Sequence, residues 1–60
     1  MSEQYRQWRV YVTEAEGMTA AELARVAYVE AGTMRGRACR AVLVTRAIRG
    51  AVYDSVVAGA

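Results

Sequence analysis

The chain has 60 residues, 55% of them hydrophobic, with no Pro, no His, one Cys and a net charge of +2 carried entirely by arginine. So short a chain makes one domain, residues 1–60, and its apolar content excludes disorder. It carries no zinc-type ligand set, no His base and no glycine-rich phosphate loop, which points away from enzymes, bound cofactors and small-molecule substrates.

The longest apolar runs, residues 26–29 and 41–44, fall far short of the ~20 residues of a membrane-spanning helix. The polar start Ser2-Glu3-Gln4-Tyr5-Arg6 lacks a signal-peptide core, and a lone Cys39 suits a reducing compartment, so the expected location is cytoplasmic. Charge is uneven. Residues 1–30 hold Arg6, Arg9 and Arg25 against Glu3, Glu14, Glu16, Glu22 and Glu30; residues 31–60 hold Arg35, Arg37, Arg40, Arg46 and Arg49 against Asp54. The basic half fits either an anionic partner or a solvated face.

In chain order, residues 1–6 form a polar lead-in. Residues 7–13, Gln-Trp-Arg-Val-Tyr-Val-Thr, alternate in polarity and predict a strand. Trp8, Val10 and Val12 would face a core, and Gln7, Arg9, Tyr11 and Thr13 the opposite side. Thr19-Ala20-Ala21-Glu22 is a capping box, flanked by Met18 and Leu23 at staple positions, and predicts a helix over 19–31. Its inner face would be Ala20, Leu23, Ala24, Ala27 and Ala31 with Val26 beside it, and Gly32 would end it in the left-handed conformation.

Thr33 can cap a second helix through Arg35–Arg40, which Gly36 weakens. Residues 41–45, Ala-Val-Leu-Val-Thr, suit either a buried strand or a buried helical turn. A helix is expected over 46–57, with Ile48, Ala51, Val52, Ser55 and Val56 on one face and Arg46, Arg49, Tyr53 and Asp54 mostly on the other. Cys39 and Trp8 are expected in the core, and Glu14 and Glu16 in solvent.

The fold class read from these elements is α+β: one N-terminal strand followed by two or three helices, a homodimer paired through that strand. The alternative is a small β-α-β-α unit in which residues 41–45 form the second strand.

The strand Trp8-Arg9-Val10-Tyr11-Val12 and the segment from Gly32 to Leu43, in which a glycine precedes a capped turn with interspersed arginines, resemble the ribbon-helix-helix family of transcriptional repressors. The resemblance spans roughly residues 7–45. It implies a dimer whose paired strands enter the major groove of double-stranded DNA, with Gln7, Arg9, Tyr11 and Thr13 facing base edges. Thr33 and Arg35 would hold a phosphate at a helix start, and Arg37 would add a backbone contact. A tiny, all-arginine chain with surplus apolar surface also resembles the accessory proteins of phages and mobile elements. That resemblance implies docking onto, and inhibition of, a host protein, with Met18, Tyr28, Met34 and Tyr53 as candidates for the exposed patch.

Overall fold

The computed structural model describes residues 2–59, in which three helices follow one another: α1 (Glu3–Glu16), α2 (Ala20–Val29) and α3 (Met34–Gly59). No strand exists among the described residues, so the α+β reading, its strand-paired dimer and the β-α-β-α alternative are all overturned. Both α1 and α2 pack on α3, and they touch each other little.

Residues 7–13 lie inside α1. Ser2 starts this helix, its hydroxyl accepting from the Tyr5 amide at 3.1 Å, and Glu3 favours the positive pole of the first turn. The polarity alternation at 7–13 coexists with a helical spacing, Trp8, Tyr11, Val12 and Ala15, and this second pattern is the one that packs. Ala15 is fully buried, Trp8, Tyr11 and Val12 are half-buried, and Val10 is 56% exposed. The expected core face was therefore wrong at Val10, and Tyr11 sits on the packed side.

The capping box forms as expected. The Glu22 amide donates to the Thr19 hydroxyl at 3.2 Å, and the Thr19 amide and hydroxyl donate to the Glu22 carboxylate at 3.3 and 2.9 Å. The Thr19 hydroxyl, then its amide, hold the Glu22 carboxyl below its ordinary value of 4.5. A depressed carboxyl stabilises the fold above its unfolded-state value. That contribution fades as pH drops below about 4.5 toward the lower folded value. Thr19→Ala is expected to cost ~1 kcal/mol at neutral pH and to flatten the acid limb of the stability profile. Urea midpoints at pH 7 and pH 3.5 measure both effects, and parallel acid losses in the two proteins would contradict the assignment.

On α2, Leu23 and Val26 are buried and Ala27 is half-buried, whereas Ala20, Ala24 and Ala31 face solvent. The helix ends at Glu30, with φ −109° and ψ 32°; no described glycine has positive φ, so Gly32 is not a left-handed terminator. Thr33 caps α3 as expected: its hydroxyl accepts from the Gly36 amide at 3.0 Å and donates to the Glu30 carbonyl at 2.8 Å.

Residues 41–45 are helical. β-branching there is a weak preference, overridden because Val42 fills the core and Leu43 packs against it. The core is small: Ala15, Leu23, Val26, Cys39 and Val42 cluster together, lined by Val12, Met18, Ala27 and Leu43, with Ala38 buried as well. It lies under the first three turns of α3. From Val44 to Gly59 every residue of that helix is exposed, so about 24 Å of α3 projects beyond the three-helix head as an arm. The molecule measures 44 × 28 × 18 Å.

Candidate interaction surface

The seven residues expected at a DNA interface do not converge. On a helix, Gln7 and Tyr11 share one side while Arg9 and Thr13 lie about half a turn around it. The Thr13 hydroxyl is spent on the Arg9 carbonyl at 2.8 Å. The shallow depressions on α1 are lined by that helix alone, among them Gln7, Val10 and Tyr11. At the start of α3, the Thr33 hydroxyl and the Gly36 amide satisfy each other. The Arg35 guanidinium pairs with Glu30 at 2.8 Å across two half-exposed side chains. Arg37 is exposed.

Arg46 has a role that the sequence did not disclose. From the root of the arm it reaches back to the turn between α1 and α2, donating to the Glu16 carbonyl, the last of α1, at 2.8 Å and to the Met18 carbonyl at 2.7 Å. A helix leaves its last carbonyls without internal partners and carries negative partial charge there, so a guanidinium fork suits the position. Its only sequence signal is an arginine on the packed side of α3. Arg46→Ala is expected to cost about 1–2 kcal/mol, the lower end reflecting its solvent exposure. Arg46→Lys should recover only part, because one ammonium cannot span both carbonyls as the fork does. Thermal melts of the two variants test this, and a lysine variant as stable as the parent would rule out the two-point tie.

The arm holds six of the ten large hydrophobic side chains that are exposed among the described residues. Val44, Ile48, Val52 and Val56 are 46%, 59%, 58% and 67% exposed and follow one another every four residues. Ala51 and Ser55 lie beside Val44 and Ile48; the face read from the sequence, Ile48, Ala51, Val52, Ser55 and Val56, is exposed along its length and takes no part in the core. The row winds around the helix, so that Val56 lies above Arg49, and Tyr53 and Val57, 69% and 57% exposed, are on that same further side. Elsewhere Tyr28 and Val29 on α2 are 87% and 72% exposed. Of the four side chains expected in an exposed patch, Tyr28 and Tyr53 are exposed, while Met18 and Met34 are half-buried.

No group of His, Cys, Asp or Glu among the described residues could hold a metal ion, and no helix is long and apolar enough to cross a membrane. No family model, curated protein or solved structure matches the chain.

Proposed function

We propose that this chain is a non-enzymatic binding protein that docks a helix of another protein chain against the outward face of the α3 arm. The observation that carries this reading is the exposed row Val44, Ile48, Val52 and Val56 on a helix segment that contributes nothing to the core. Exposed contiguous apolar surface marks interaction sites, and helix-in-groove or helix-on-helix docking uses this kind of spacing. Ribbon-type reading of double-stranded DNA lacks its structural element here, since residues 7–13 are helical. Two of the five arginines in the basic half, Arg35 and Arg46, are engaged within the chain.

A photo-crosslinking residue placed at Ile48 should give a discrete protein adduct on irradiation in cell extract, whereas the same group at Tyr28, exposed but off the arm, should not. The reading is overturned if position 48 yields no adduct or if both positions yield the same smear.

A further inference from the structure

We propose that the helix docked on this arm is the α3 arm of a second copy of the chain, lying antiparallel to the first about a two-fold axis near residues 48–51. The inference rests on the docking reading of this face and names its partner.

Surface area argues for it first. A compact protein of 6.6 kDa exposes about 3,900 Å². This chain exposes 4691 Å², so about 800 Å² is surplus, the share that each partner contributes to a standard protein interface. The radius of gyration agrees, at 13.5 Å against about 10 Å for a compact 60-residue domain. The surplus lies in the arm.

Helix propensity argues next. Residues 44–59 include Val44, Thr45, Ile48, Gly50, Val52, Val56 and Val57, all poorer helix formers than alanine, and the segment has no ion pair among the described residues. An isolated helix of this length is marginal in water even with good formers. A packed partner supplies what the arm lacks.

The spacing then selects the partner. Ala41, Val44, Ile48, Ala51, Ser55 and Ala58 recur at intervals of three and four, a heptad seam. Antiparallel pairing sets Ile48 opposite Ala51 of the second copy and Val44 opposite Ser55, so large meets small in these four layers, while Ala41 opposite Ala58 lets the two backbones approach closely at each end. Parallel pairing would stack Ile48 on Ile48 and leave the alanine and serine layers underfilled. Charge favours the same direction. Antiparallel arms set Asp54 of each opposite Thr45 of the other, about 7.5 Å along the axis from its Arg40, and oppose the two helix dipoles; parallel arms set arginine beside arginine.

Sedimentation of the full chain from about 1 μM to 1 mM should show a reversible shift from 6.6 kDa to twice that mass. Ile48→Glu should weaken association at least about 100-fold, since a carboxylate enters the seam from both copies. Circular dichroism should show that the head keeps its helices. Under mild oxidation, a mixture of the Val44→Cys and Ser55→Cys variants should give the mixed disulfide faster than either variant gives its own. A wild type that stays monomeric at 1 mM overturns the inference, as does a dimer indifferent to Ile48→Glu or preferential Val44→Cys self-pairing. If the chain is monomeric but position 48 still crosslinks to a different protein, only the self-pairing falls. If it crosslinks to nothing, the docking reading falls with it.

Discussion

Gly36→Ala is expected to destabilise the head by about 1–3 kcal/mol, against the usual sign of such a change. Inside a helix, alanine is ordinarily favoured over glycine by roughly 0.5–1 kcal/mol. Gly36 is buried in the first turn of α3, and an added Cβ would overlap the Glu30 carbonyl and lie 3.2 Å from the Ala31 nitrogen. These are backbone atoms at the end of α2, so relief requires prising the two helices apart. The Thr33 cap and the Arg35–Glu30 pair sit at the same joint and would be strained with it. Gly50 is the internal control. A Cβ there meets nothing within 4 Å, so Gly50→Ala should stabilise the arm by roughly 0.5–1 kcal/mol. Urea denaturation of both variants gives opposite shifts in midpoint if the close approach is real. Shifts of the same sign would refute it.

Leu23→Ala is expected to cost about 2–5 kcal/mol, enough to unfold much of the population at room temperature. Leu23 is 0% exposed and, with Cys39, is one of the two largest fully buried side chains. It shares the buried cluster with Ala15, Val26, Cys39 and Val42, all smaller side chains than its own. A 60-residue domain carries only ~3–9 kcal/mol in total. Circular dichroism through a denaturant series should show a strongly lowered midpoint. An unchanged midpoint would mean that the head does not rest on this cluster.

The features legible in the sequence were those with a local chemical cause. Thr19 with Glu22, and Thr33 before its helix, announce themselves because capping uses specific side chains at fixed spacing. The helix expected at 46–57 is part of α3, and Cys39 is buried as its residue type suggests.

What misled was residues 7–13, where Trp, Val, Tyr and Thr favour strands and their polarity alternates. The same residues also fit the helical spacing Trp8, Val12 and Ala15. Ser2 at the cap position, with Glu3 beside it, was the signal that could have decided between them. Over a few residues two periods can coexist, and which one holds depends on what the rest of the chain offers to pack against. The DNA-facing set went with the strand, since four residues chosen to share one face of a sheet divide between two sides of a helix.

Gly36 and Arg46 were not legible for a different reason: each acts on backbone distant in space or across a turn, which no one-dimensional pattern displays. The arm's apolar face was visible as a pattern, but its direction was not, because a period does not say which side of a helix the core lies on.

The burial of Cys39 has a practical consequence. Its side chain is 1% exposed under the three-helix junction, and it is the only thiol in the chain. A thiol-labelling reagent can reach it only when the head opens, so the labelling rate follows the fraction of molecules open at any moment. The protein thus carries its own clock for local opening, placed away from the outward face of the arm. Events on the arm that steady the head would slow this clock without any probe being added at the surface where they occur.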